Sequence, residues 1–206
     1  MNKTTFMNRV FRTSKYYLTS KYAMRVNPVT HLHTMHWGED YGTNQKPVAL
    51  YSPVIGDVKR AEYNAIRGWF CEVKTNSGYV LMQHMKSKPL VKVGQKVDKT
   101  TQIGVSGTSG SSTAMHLHIE YYNTKHEHQS PARFILFYKD PTFKVMHVKF
   151  DELHVRNKPS MAGEIKGTLK KKTSVTIYKT VEDEDGKEWA KISYTAELYV
   201  AKWLLY

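Results

Sequence analysis

The 206-residue chain reads as a mainly β protein built from two domains. Three observations predict this. Short apolar segments recur at close intervals between Gly, Pro, Ser and Asn residues, the spacing of strands joined by turns. That pattern breaks at Asp140-Pro141-Thr142, which reads as a connector, and then starts again. Residues 143–206 hold only short strands and tight turns, which suits a small barrel.

The elements follow in order. Residues 1–18 form a basic lead-in without clear periodicity. Strands are expected at 47–51, 54–58, 69–74, 79–84 and 90–93, with 63–68 a loop inserted between two of them. Residues 115–120, followed by Tyr121 and Tyr122, read as a further strand after a Gly/Ser/Thr-rich turn region. Ser130-Pro131-Ala132 opens a short helix through 133–138, with proline at its start. Beyond the connector, strands are expected at 145–148, 153–156, 165–169, 175–181, 189–194 and 199–204. Val175 and Ile177 alternate with Thr176, as on a half-buried strand, and Asp185-Gly186 is a favoured hairpin turn. The expected divisions are a lead-in at 1–18, a first domain at 19–140 and a second at 141–206, with no internal repeat between them.

Composition narrows the classes. Hydrophobic residues make up 40% and aromatics 12%, enough for packed cores, which excludes general disorder. No apolar run approaches the length of a membrane span, and residues 1–17 lack the apolar region of a secretory signal. Cys71 is the sole cysteine, so neither an intramolecular disulfide nor a cysteine-rich metal site can form. Set between Trp69-Phe70 and Glu72-Val73, it reads as a small buried hydrophobe. The formal charge is +13, of which the first 142 residues carry +10. Such a charge attracts polyanions without choosing among nucleic acid, anionic lipid and phosphate-rich wall polymers. No nucleic-acid-binding motif accompanies it.

The chemistry gathers around Met115-His116-Leu117-His118-Ile119-Glu120. On a strand, side chains alternate faces, so His116 and His118 point together while Leu117 and Ile119 enter the core. His-x-His alone is weak evidence, because His31/His33 and His126/His128 repeat it. His126 and His128 sit in a polar stretch, 123–130, and read as solvated loop residues. Upstream lies His36-x-x-x-Asp40. Imidazole and carboxylate are both zinc ligands, and with one histidine of the strand they make three, leaving the fourth position to water, as in catalytic zinc sites. His36 is preferred over His31 and His33 because it alone has an aspartate four residues on. His84 ends the strand 79–84. Gly104 to Gly110 lacks the Gly-Lys-Ser/Thr of a phosphate-binding loop and reads as a flexible turn beside the site.

In this order (His36-x-x-x-Asp40, His84, the Gly104–Thr113 stretch, His116-Leu117-His118) the sequence is similar to the M23, lysostaphin-like zinc endopeptidases over residues 19–139. Thr19-Ser20, Arg25 and Pro28 look like that family's opening segment, and Ala114-Met115 stands where the family usually has Gly-Pro. The resemblance implies an antiparallel-sheet peptidase domain. It makes His36, Asp40 and His118 the ligands of Zn2+, and His84 and His116 the catalytic pair, without saying which is the base.

Leu153-His154-Val155-Arg156-Asn157-Lys158-Pro159 resembles the signature of bacterial SH3b domains, and the likeness covers residues 143–206. It implies an SH3-like β-barrel that binds the cell wall. Trp189, Tyr199 and Trp203 are then possible contacts, although aromatics at strand spacing more often form core. Together the two resemblances imply a peptidoglycan hydrolase of the phage endolysin type. It would cleave wall peptide or cross-bridge bonds with zinc-activated water and be held at the wall by its second domain. The expected partners are bacterial peptidoglycan and anionic wall polymers, with no nucleic acid and no membrane span, for a chain acting as a monomer. Such a chain would be made in the bacterial cytoplasm without a signal peptide and act at the wall after release. The alternative is a non-catalytic wall-binding protein with a vestigial metal site.

Overall fold

The structure, a computed structural model, describes residues 2–13, 15–141 and 143–206. Met1, Ser14 and Thr142, which fall in the expected lead-in and connector, lie outside them. The chain divides into two compact units, one ending at Asp140 and the other beginning at Pro141.

The first unit contains α1 (Lys3–Phe11), β1 (Tyr17–Ser20), β2 (Ala23–Val26), β3 (His33–His36), β4 (Gly38–Gly42) and β5 (Ala49–Tyr51). It continues with β6 (Gly56–Asn64), β7 (Gly68–Thr75), β8 (Gly78–Met85), β9 (Lys96–Val97), β10 (Gln102–Val105), β11 (His116–Tyr122) and α2 (Pro131–Phe137). Seven strands make one antiparallel sheet in the order β1-β4-β11-β8-β7-β6-β9. Two further antiparallel pairs, β5 with β10 and the hairpin of β2 with β3, complete the unit.

The central strands obey the period of two. On β11, Leu117, Ile119 and Tyr121 are fully buried in the core, while His116, His118 and Glu120 take the other face. On β4, Tyr41 joins that core, and Asp40 shares the opposite face with the histidines. Register then sets the site, because His118 lies directly opposite Asp40 on one side and Gln83 on the other.

Residues 1–18 depart from the sequence reading. Phe6, Met7, Val10 and Phe11 recur at helical spacing, and α1 buries all four in the core of the sheet. The Asn2 side chain caps the helix by accepting from the Thr5 amide at 2.8 Å. Four apolar positions among nine residues, set between Lys3 and Arg12, made the periodicity too short to register. Strands β1 to β4 were likewise not foreseen, because residues 17–42 are interrupted by turns and carry few consecutive apolar residues. The strand expected at 90–93 is absent: Leu90 and Val93 are exposed, only Val91 turns inward, and the pairing strand is β9. The loop expected at 63–68 shrinks to a tight turn, in which the Asn64 carboxamide accepts from the Ile66 and Arg67 amides. The helix expected from Ser130 is α2, capped by the Ser130 hydroxyl.

The second unit comprises β12 (Lys144–His147), β13 (Glu152–Arg156), β14 (Ile165–Lys170), β15 (Ser174–Ile177), β16 (Lys179–Glu182), β17 (Glu188–Lys191) and β18 (Tyr199–Ala201). Five strands form the sheet β14-β13-β18-β17-β16, and β12 pairs with β15. The segment 175–181, expected as one strand, turns a corner at Tyr178, so that β15 and β16 serve different sheets. Trp189 and Tyr199 are core, whereas Trp203 is 45% exposed.

Candidate metal centre

Three ligand-type atoms from His36, Asp40 and His118 lie within 4.8 Å of one another, all on buried residues. His118 Nδ1 is 2.7 Å from Asp40 Oδ1 and 3.1 Å from His36 Nε2, and His36 Nε2 is 3.3 Å from Asp40 Oδ1. His116 Nε2 approaches the same carboxylate oxygen at 3.5 Å. The rings of His84 and His116 are 4.8 Å apart, and His84 is 6.0 Å from His118. The five residues singled out in the sequence therefore converge on one cleft, while His31 and His33 are exposed and stand outside the cluster.

Each ring has one nitrogen committed elsewhere. His36 donates from Nδ1 to the Lys21 carbonyl at 2.8 Å, leaving Nε2 for the centre. His118 donates from Nε2 to Glu120 Oε1 at 3.1 Å, leaving Nδ1. His84 donates to the Ser109 carbonyl and His116 to the Ala114 carbonyl, both through Nδ1 at 2.8 Å. Such ties fix tautomer and ring orientation, as the outer partners of metal-binding histidines do.

The local backbone explains how His84 arrives here. Between Met82 and Met85, β8 carries one residue more than β7 opposite, a bulge, and His84 sits in it at φ +59°. A bulge re-aims a side chain, and a non-glycine residue held at positive φ marks backbone strain of the kind that gathers at functional sites. Gln83 and His84 thus both line the cleft. The stretch expected as a flexible turn is instead tied down. The Ser109 hydroxyl donates to the Met85 carbonyl at 2.6 Å, and Gly107 and His116 form a β-bridge.

Electrostatics follow from this packing. Burial alone would raise the Asp40 carboxyl, but hydrogen bonds and charge from His118 and His36 hold it well below the carboxylate range. Burial opposes charge on His118 too, yet Asp40 and Glu120 raise it to about 9. Burial lowers His84 to about 4, so it is neutral at pH 7. Away from the site, burial pushes the Cys71 thiol up to about 12, as expected of an inert core cysteine.

Several contributors were not foreseen in the sequence. Glu120 accepts from His118, from Gln83 Nε2 at 2.6 Å and from the Tyr122 hydroxyl. Its position two residues past His118, on the same strand face, was the available signal. Gly38 packs so close that a Cβ there would meet His118 Nε2 at 2.6 Å, so only glycine fits. Arg25 extends from β2 to 3.4 Å from Asp40 Oδ2. His126 and His128, read as solvated loop residues, are exposed on a loop and in addition stack on aromatic rings. His128 lies between Trp37 (4.6 Å) and Tyr122 (4.5 Å), and His126 packs on Tyr122 and bonds buried Glu72 at 2.7 Å. The segment folds back because the Asn123 and Gln129 amides donate to the Glu127 and Tyr121 carbonyls, closing a turn onto β11.

The donor set fits zinc. Two imidazole nitrogens and one carboxylate oxygen are the first-choice ligands of a three-ligand centre, and here they open onto a cleft. Comparison with known proteins agrees. The model of peptidase family M23 matches residues 34–131, and that of the bacterial SH3 domain matches 151–206. The peptidoglycan DD-endopeptidase ShyA of Vibrio cholerae is 32% identical over 110 residues, covering 52% of this chain and 25% of that protein. A zinc-containing peptidase from Vibrio cholerae is similar in structure, with a TM-score of 0.54 and 27% identity over 65% of this chain and 40% of the other. The catalytic domain of the antimicrobial peptidase lysostaphin from Staphylococcus simulans aligns with a TM-score of 0.51 and 27% identity, covering 59% of this chain and 92% of that domain. The chain spans between 21 and 29% of the length of four curated relatives that it matches. With the antiparallel sheet and the His-Asp-His cluster on one face of it, these matches establish that the chain carries a peptidase family M23 domain followed by a bacterial SH3 domain.

Proposed function

We propose that the chain is a zinc endopeptidase that hydrolyses peptide or cross-bridge bonds of bacterial peptidoglycan, with the SH3 domain holding it at the wall. The observation that carries this reading is the convergence of four histidines and one aspartate, each ring with its second nitrogen already committed. In this reading His36, Asp40 and His118 hold the ion. Bound zinc supplies a water acidified to a pKa of about 7 and polarises the substrate carbonyl. His84 and His116 handle protons, taking one from the water and returning it to the leaving amine. Their Nδ1 ties to Ser109 and Ala114 hold the rings without reorganisation. Glu120 keeps the His118 ring aimed.

The peptidoglycan assignment draws on the M23 match and on the relative named as a DD-endopeptidase. A wall binder tied to a hydrolase raises its effective concentration at an insoluble substrate. This suits an endolysin-like, bacteriolytic enzyme, which clearing of a bacterial suspension by added protein would test. Among the described residues no helix is long and apolar enough to cross a membrane.

The decisive experiment is mass spectrometry of fragments released from purified peptidoglycan. New amino termini that disappear with chelator and in His118→Ala are expected. New reducing sugar ends would overturn the chemistry, and protein that pellets on walls without releasing fragments would be a binder alone.

A further inference from the structure

Arg25 is the one lysine or arginine among the described residues that lines the metal cleft. It lies on β2, ahead of the stretch matched by the M23 model, with its side chain 29% exposed. Its link to Asp40 is 3.4 Å, long beside the 2.7–2.9 Å usual for a charge-assisted bond. The other oxygen of that carboxylate is taken by His118 at 2.7 Å. Arg25 Nε is buried with no hydrogen-bond partner. A buried donor left unpaired is costly, and a guanidinium offers five donors in a planar fork that matches a carboxylate. The two acids lining the same cleft, Asp40 and Glu120, are already engaged by histidines.

We propose that Arg25 is the subsite for a carboxylate carried by the substrate beside the scissile amide. The proposal rests on the peptidoglycan reading and narrows it. The bond cut is then a cross-link to a diamino acid whose free carboxylate adjoins the amide, as in a D-Ala–diamino-acid link. A glycine bridge offers no carboxylate there and leaves Arg25 Nε without a partner, a mismatch that polar sites reject.

Three synthetic peptides test this: a D-Ala–diamino-acid link with its neighbouring carboxylate free, the same peptide amidated at that carboxylate, and a pentaglycine. Full-length wild type, Arg25→Gln and Arg25→Lys are compared for kcat, KM and bound zinc. Wild type is expected to favour the free carboxylate by roughly 10- to 100-fold in kcat/KM. In Arg25→Gln that ratio should collapse toward one through a higher KM for the carboxylate peptide, with zinc content unchanged. Arg25→Lys should keep part of the ratio, since it retains the charge without the fork. Equal wild-type rates on the free and amidated peptides, or faster cleavage of pentaglycine, would overturn the subsite. So would a kcat loss in Arg25→Gln that is equal on every peptide and accompanied by lost zinc, since that would make Arg25 a positioning residue for Asp40. Wild type that cuts none of the three peptides would sink the peptidase reading itself, and this subsite with it.

Discussion

The two units use the same short antiparallel strands and bury different things. In the first, His36, Glu39, Asp40, Glu72, Gln83, His84, His118 and Glu120 are all buried. In the second, Lys191 is the sole buried polar or charged residue among those described, and the core is made of Val148, Leu153, Val175, Trp189, Val200 and their neighbours. Burying ionisable groups is expensive unless each finds a partner. The first unit meets that condition group by group: Lys3 and Tyr41 serve Glu39, His126 serves Glu72, and Gln83 and Tyr122 serve Glu120. The difference teaches where chemistry resides. A fold retains a converging set of buried acids and imidazoles where their shifted proton affinities are used, whereas a binding module can keep an apolar core and work from its surface. Of Trp189, Tyr199 and Trp203 in the second unit, Trp203 alone is exposed and left for such work.

Asp40→Ala breaks the comparison hardest. It should remove bound zinc and reduce peptide hydrolysis by roughly three orders of magnitude or more, while wall pelleting through the second unit persists. Full activity with one zinc retained, measured by elemental analysis, would refute the ligand set. Paired core truncations come next, each costing about 3–5 kcal/mol. Phe6→Ala should lower the stability of the peptidase unit and its activity on soluble peptide. Trp189→Ala should abolish wall pelleting yet spare soluble-peptide hydrolysis. Thermal unfolding and the two assays check both, and a Phe6→Ala protein of wild-type stability would return residues 3–11 to the status of a lead-in.

Glu120→Gln sharpens the argument about buried acids. Loss of the acceptor behind His118 should weaken zinc by roughly 10- to 100-fold, read by competition with a chelating dye, with little change in wall binding. The smallest effect concerns Asp140, which accepts from both Arg9 guanidinium nitrogens and from Lys99. Burial would raise this carboxyl, but Arg9 and Lys99 hold it below its ordinary value. Its folded pKa is depressed, so its contribution is present above the unfolded value of about 3.9 and is lost as pH falls through the folded one. Solvent screening limits that contribution to about 0.5–1 kcal/mol. Asp140→Asn should therefore be slightly less stable at pH 7 and indistinguishable from wild type in strong acid, as denaturant titrations would show.

Legibility in the sequence followed the range of the interaction. His116 and His118 could be placed on one strand face because the period of two is a property of the backbone alone. The strands 69–74, 79–84 and 153–156, the helix from Ser130 and the buried Cys71 were legible for the same local reason. Helix α1 was not, since a nine-residue amphipathic segment is marginal by itself and gains its stability from the sheet it covers. The ring packing of His126 and His128 was equally hidden. Polar neighbours in sequence suggested solvent and both residues are exposed, but the turn closed by Asn123 also lays both rings on Tyr122, and His128 on Trp37.

By itself, then, the sequence determined the strand-and-turn character, the break near residue 140 and the His36, Asp40 and His116/His118 candidates, because periodicity, turn chemistry and ligand type are written in local order, while His84 joined the set through the resemblance to a known family. Only the tertiary structure decided the rest. Antiparallel register set His118 opposite Asp40, a bulge turned His84 into the cleft, and the absence of a Cβ at Gly38 made room for the His118 ring. Those features depend on which strands pair and how closely their backbones approach, distances that no single stretch of chain encodes.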